Sequence, residues 1–210
     1  MCNLYSMTKG QTAILAVVRA TLDRTGNLQP QAEIYPDYVA PIVRQVGDER
    51  GLVMARWGLP SPSFALQGKK TDPGVTNVRN PASPHWRRWL GPENRCLVPF
   101  TAFCEPSRVE GRYQQAWFRL NTFQPQPLAF FAGLHVPAWT SVRKVKEGQV
   151  TADLFAFLTT EANAEVAAVH PKAMPVILME RDEWETWLSA PWAEAAELQR
   201  PLPDGSLVRI

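Results

Sequence analysis

Nineteen prolines are spread along this chain of 210 residues, from Pro30 to Pro203. Each locks its own φ near −65° and removes a backbone donor, so it is tolerated at turns, strand edges and helix starts but not in helix interiors. A chain punctuated this way cannot be a helical bundle. It favours many short strands and fixed loops.

The hydrophobic pattern agrees. Apolar, β-rich runs occupy Tyr38–Arg44, Leu52–Trp57, Arg95–Phe100, Ala116–Leu120, Leu128–Leu134 and Leu154–Leu158, with another at Met174–Met179. Helical periodicity is confined to short pieces. Thr8 and Gln11 have capping-box spacing, and Ile14, Leu15, Val17, Val18 and Leu22 follow, predicting a helix over about 9–23. Further short helices are predicted at 162–169, stopped by Pro171, at 182–188, and at 192–198 behind Pro191. The stretch 67–80 reads as a loop. No internal repeat or low-complexity linker divides the chain, and 210 residues suit one domain spanning 1–210. The expected fold class is α+β, with a central, mostly antiparallel sheet flanked by short helices.

Bulk properties narrow the function. A net charge of +2 does not announce a nucleic-acid partner, so any basic surface has to be local. Cys2, Cys96 and Cys104 are odd in number and lack metal-ligand spacing, which argues against a disulfide framework and a structural zinc site. No run of about 18 apolar residues and no signal-peptide pattern is present, giving the expectation of a cytoplasmic protein with reduced thiols and no membrane partner.

Chemistry is suggested first by Met1-Cys2. Initiator methionine is removed when a small residue follows, and Cys2 would then be the terminus, with an α-amine and a thiol on adjacent carbons. Both are partly available as nucleophiles near neutral pH. An aldehyde would form a Schiff base with the amine, and the thiol would close a thiazolidine. Position alone equally allows a Cys2 with no role. His170, at the end of a predicted helix, is either a cap or a proton shuttle, with its pKa raised by the helix terminus. Glu105 ends an apolar run; it is either solvated or a carboxylate with a raised pKa. Asn77 could hold a ligand hydroxyl and Arg79 could clamp a phosphate. His85-Trp86-Arg87-Arg88-Trp89 alternates bases with flat rings, as a single-strand groove does, or is an amphipathic turn with its Trp residues in the core.

In order and spacing these pieces resemble the SRAP family (SOS-response-associated peptidase), the abasic-site processing proteins. The resemblance rests on Met1-Cys2, R-W-G-L-P at 56–60, T-N-V-R-N at 76–80, R-C-L-V-P-F at 95–100 and C-E-P at 104–106. It continues through F-A-G-L at 131–134, F-L-T-T-E-A-N at 157–163 and V-H-P-K-A-M-P-V-I-L at 169–178. It implies that Cys2 is the nucleophile that crosslinks to DNA, Asn77 a contact to the opened sugar, Glu105 an acid/base and His170 a helper of Schiff-base chemistry. It further implies that Arg79 contacts a phosphate and that Trp57 and Gly58 wall the DNA groove. Many members begin Cys-Gly-Arg; here Asn3-Leu4 follow Cys2, and Cys104 stands where an aromatic is common.

The implied activity is a covalent thiazolidine link to an abasic site in single-stranded DNA, with self-removal of Met1. It needs no metal or cofactor and no obligate protein partner, and places the protein at the nucleoid when DNA-bound. Two other classes remain open: an N-terminal-nucleophile amidohydrolase using the same Cys2, and a non-covalent single-strand-binding module using the Trp-Arg cluster.

Overall fold

The computed structural model describes residues 2–109, 111–123 and 127–210. Met1, whose removal the sequence predicts, lies outside them. In chain order the elements are β1 (Leu4–Met7), α1 (Gln11–Val18), β2 (Leu22–Asp23), β3 (Gln31–Ile34), β4 (Val39–Val46), β5 (Glu49–Trp57) and β6 (Asn77–Val78). Then come β7 (Arg95–Phe100), β8 (Ala102–Val109), β9 (Arg112–Leu120), β10 (Ala129–Val142), β11 (Gln149–Thr160) and α2 (Ala164–Ala167). The chain ends through β12 (Met174–Pro175), β13 (Ile177–Leu178), α3 (Arg181–Ser189), α4 (Trp192–Ala195) and β14 (Leu207–Arg209).

The predicted class holds: the protein is α+β with mostly antiparallel pairing and short helices. The larger sheet is rolled up. Strands β11, β10, β7, β4 and β5 are neighbours in that order, and β11 pairs back onto β5 in parallel, Leu154 opposite Arg56 and Phe155 opposite Trp57. That pairing closes a five-stranded barrel. Its interior is aromatic: Phe100 stacks on Phe131 with centroids 3.9 Å apart, Phe131 meets Phe157 at 4.5 Å, and Trp57 lies 5.2 Å from both Phe157 and Tyr5. The second sheet runs β14-β9-β8-β1-β3. The chain passes from barrel to second sheet at Thr101, whose amide donates to the Ser6 carbonyl (2.8 Å).

Three sequence expectations are corrected. The first helix stops at Val18, where Arg19 takes a left-handed φ of 50°, and Leu22–Asp23 adds a parallel edge strand to β5. Backbone pairing along β5 outweighs one more helical turn. Its N-cap is Gly10 without a side-chain cap, because the Thr8 hydroxyl is taken by Thr101 (3.1 Å). The run 174–179 is two strands, because Val176 switches neighbours: its amide donates to Leu158 of β11 and its carbonyl accepts from Ala132 of β10. The loop predicted at 67–80 contains β6, which pairs in parallel with β11.

Helix α3 seals the outside of β7 and β10. Trp187 is fully buried, and its indole N–H donates to the carbonyls of Cys96 (2.9 Å) and Gly133 (3.2 Å). Gly133 faces Cys96 across the sheet, and a Cβ there would sit 2.6 Å from the Cys96 sulfur and 2.9 Å from Val98 Cγ2. Gly133→Ala should therefore destabilise by overpacking, by about 1–3 kcal/mol. Urea unfolding checks this, and an unchanged midpoint would mean the barrel wall is looser than described.

Candidate active site

Four sequence-predicted residues meet where β1, β6 and β8 converge. Cys2 precedes β1 and is completely buried. Its thiol donates to the Leu4 carbonyl (3.4 Å), and its own carbonyl accepts from Asn77 Nδ2 (2.9 Å). Asn77 Nδ2 also reaches Thr76 Oγ1 (2.9 Å), and Thr76 Oγ1 reaches Asn3 Oδ1 (3.2 Å). Asn77 Oδ1, by contrast, is buried with no hydrogen-bond partner among the described residues. An acceptor left this way costs about 1–3 kcal/mol.

Strand β8 pairs with β1, Leu4 opposite Cys104, and so brings Glu105 near Cys2. Glu105 has no solvent exposure, and burial pushes its carboxyl up to about 7. Burial also raises the Cys2 thiol well above its ordinary value, and the nearby Glu105 charge adds to that. Cys104 is likewise raised by burial, to about 11. His170 Nδ1 lies 3.4 Å from Glu105 Oε2 and 3.1 Å from the Ala173 carbonyl. The sequence expectation of a raised His170 pKa is corrected: it is lowered, chiefly by burial, because α2 is a single turn with little dipole to offer. A cavity of about 400 Å³ lies on the other face of β8, lined by Leu4, Cys104, Pro106, Tyr113 and Gln115 among others.

The proposed DNA contacts divide. Trp57 is fully buried, its indole N–H donating to the Thr76 carbonyl (3.0 Å), so it supports the segment carrying Asn77 from behind. Gly58 is also buried, with φ of 138°, and a Cβ there would lie 3.5 Å from Gly74 Cα. Neither presents an exposed surface. Trp86 and Trp89 are buried too, and His85 packs edge-on against both while Nε2 contacts the Pro60 carbonyl (2.9 Å). The amphipathic-turn reading is therefore right for the rings, which are not free to stack on bases. Arg87 and Arg88 remain exposed, Arg88 lying 4.0 Å over Trp89 and 5.6 Å over Trp139. Trp139 pairs at Ala152 of β11, whereas Asn77 pairs at Phe157. Five residues apart, these points are separated by about 17 Å along the strand.

Arg79 is exposed, but its Nη1 donates to the carbonyls of Thr160 and of Lys172 (3.2 Å). Gln199 Nε2 in turn donates to the carbonyls of Arg79 (3.0 Å) and Thr159 (2.9 Å). Sequence reasoning missed Gln199, a neutral residue in a C-terminal loop that carries no local signal. Among the described residues no group of three or more His, Cys, Asp or Glu could hold a metal, and no helix is long and apolar enough to cross a membrane.

A barrel packed with a second sheet, and a buried cysteine ahead of β1 gathered with an Asn, a Glu and a His, make a candidate cysteine-based site. The sequence profile of the family described as SOS response associated peptidase (SRAP) matches residues 1–209, and the chain belongs to that family. Solved structures with the same fold include a protein from Bacteroides thetaiotaomicron (TM-score 0.77, 21% identity, covering 99% of this chain and 90% of that one). A second is from Bordetella bronchiseptica (TM-score 0.73, 22% identity, 99% and 98% covered). A phage-related protein from the same organism gives 0.68 and 20%, covering 100% of this chain and 93% of its own. Among curated proteins none matches significantly.

The Glu105 carboxyl has a pH signature. Its folded pKa, about 7, is above the ordinary 4.5, so folding favours the protonated form. Stability tied to this group is full below pH 4.5 and is lost as pH rises through about 7. Glu105→Gln should therefore stabilise the protein at pH 8, by on the order of 3 kcal/mol, with little change at pH 4. Melting curves at the two pH values check it. Equal shifts at both would place the carboxylate in water.

Proposed function

We propose that this protein captures abasic sites in single-stranded DNA as a covalent thiazolidine on Cys2, shielding the lesion during the response to DNA damage. The observation that carries this reading is the unsatisfied Asn77 Oδ1, buried in the residue that already holds the Cys2 carbonyl. It is an acceptor waiting for a donor such as a hydroxyl of the opened sugar. With Met1 removed by self-processing, the Cys2 α-amine attacks the C1′ aldehyde carbon, and the carbinolamine loses water to give an iminium. The Cys2 sulfur then bonds to C1′ and its proton leaves, so aldehyde and aminothiol give thiazolidine and one water. Glu105, with a pKa near neutrality, is suited to accept the thiol proton and to donate to the departing hydroxyl. A neutral His170 beside it can pass the proton to solvent. Arg87, Arg88 and the outer edge of Arg79 are the cations placed to follow a phosphate backbone.

Intact mass first decides whether Cys2 is the terminus. Incubation with abasic single-stranded DNA should then give a band that survives heat and denaturant, and Cys2→Ser should give none. A reversible shift alone would favour simple binding, and no shift would favour hydrolysis of an amide.

Glu105→Gln and His170→Ala should slow crosslinking, each by roughly 10²–10⁴-fold, with DNA affinity nearly unchanged. A normal rate in a folded variant removes that residue from the mechanism. Arg87→Ala and Arg88→Ala should each flatten the salt dependence of binding by about one phosphate contact. An unaltered slope would exclude them from the DNA path.

A further inference from the structure

We infer that Arg79 is a positioning residue for His170, and that Gln199 anchors Arg79 in that role. Asn77 opens β6 and Arg79 follows that strand directly, with Val78 buried between them. Asn77 holds the Cys2 carbonyl, and Arg79 holds the Lys172 carbonyl. Lys172 is two residues beyond His170, in the middle of the loop between α2 and β12. One segment thus grips both the nucleophile and the loop that carries its proton shuttle.

That loop is fixed at its ends. The His170 amide donates to Val166 of α2 (2.7 Å), and Met174 pairs with Thr160. Its middle, Pro171 and Lys172, is exposed, and the Arg79 guanidinium bridges it to Thr160 on β11. Gln199 completes the strap by donating to both the Arg79 and Thr159 carbonyls. Only Nη1 of Arg79 is spent on the loop, which leaves its other nitrogens for a phosphate. Without the strap, no other hydrogen bond among the described residues ties Lys172 to the barrel, so the loop that carries the imidazole loses its brace and the Glu105 contact loosens, even with the Ala173 contact (3.1 Å) kept.

The consequence for the reaction rests on the crosslinking reading, but the placement of His170 does not, so both are measured. The variants are Arg79→Ala and Gln199→Ala, each verified as folded by its melting curve. The first readout is the titration of the His170 imidazole by NMR, assigned against His170→Gln among only three histidines. The charges bearing on it are Glu105 from β8, Lys172 on its own loop and the α-amine. In the parent protein its midpoint should lie below the ordinary value of about 6.5. In both variants it should rise toward that value. The second readout separates affinity from rate. In Gln199→Ala the limiting crosslinking rate should fall roughly 10–100-fold, with affinity and salt slope unchanged.

An unmoved His170 titration in both variants overturns the proposal. So does an Arg79→Ala whose only effect is weaker, less salt-dependent DNA binding, which would make Arg79 a phosphate ligand alone. If the titration moves but the parent protein forms no crosslink, the strap stands and the crosslinking reading fails.

Discussion

The site hangs from one strand, β11. Along β11, Leu154 and Phe155 pair with β5 and close the barrel, Phe157 and Leu158 pair with β6, and Thr159 and Thr160 pair with β12. Three structural tasks follow one another within seven residues: closure, placement of Asn77, and anchorage of the loop that carries His170. Because strand residues rise about 3.3 Å each, these attachments are fixed relative to one another to within the pleat of a single strand. A slip of one residue on β11 would turn Asn77 away from Cys2 and loosen the closure together. Trp57 couples the same two tasks from the other side, since its ring packs on Phe155 and Phe157 while its N–H holds Thr76.

Burial then sets the chemistry. Water is excluded from Cys2 and Glu105 alike, so each disfavours its charged form, and the Glu105 charge makes ionisation of the Cys2 thiol harder still. At rest the thiol keeps its proton. A cation formed beside them reverses the balance, because it stabilises a thiolate and a carboxylate at the same time. On the proposed pathway the iminium is that cation. The nucleophile would be switched on by the intermediate it is meant to trap, and would stay inert toward other electrophiles until then.

The sequence carried the barrel's long strands legibly, because β4, β5, β7, β10 and β11 are apolar runs several residues long. It did not carry their closure. Parallel contacts between Arg56 and Leu154 join residues nearly a hundred positions apart, and no local pattern encodes them. Strand β1 was hidden for another reason: it is four residues long and buried on both faces, so it shows no alternation. In the site, Cys2, Asn77, Glu105 and His170 were candidates on their own chemistry, the family resemblance supplied roles for them, and the structure gathers them. The burial of Trp57 and Trp86 was not legible, because a buried and an exposed aromatic look alike in sequence, and that of Gly58 comes from its close approach to Gly74. The direction of the His170 shift was also misread, since the helix before it turned out to be one turn long.

Asn77 is the residue whose chemistry a purely structural role explains least. Its Nδ2 is fully used, on the Cys2 carbonyl and on Thr76. If holding the N-terminal segment were the whole purpose, a hydroxyl or a backbone amide could donate the same bond without bringing a buried acceptor along. The amide oxygen comes at a cost in stability, and no partner among the described residues recovers it. Groups kept in that condition are found where a ligand supplies the missing partner. The donor has to arrive within reach of Cys2, because one planar amide fixes the direction of both its ends. On the proposed pathway, the side chain that holds the Cys2 carbonyl would therefore also set where a hydroxyl-bearing substrate sits.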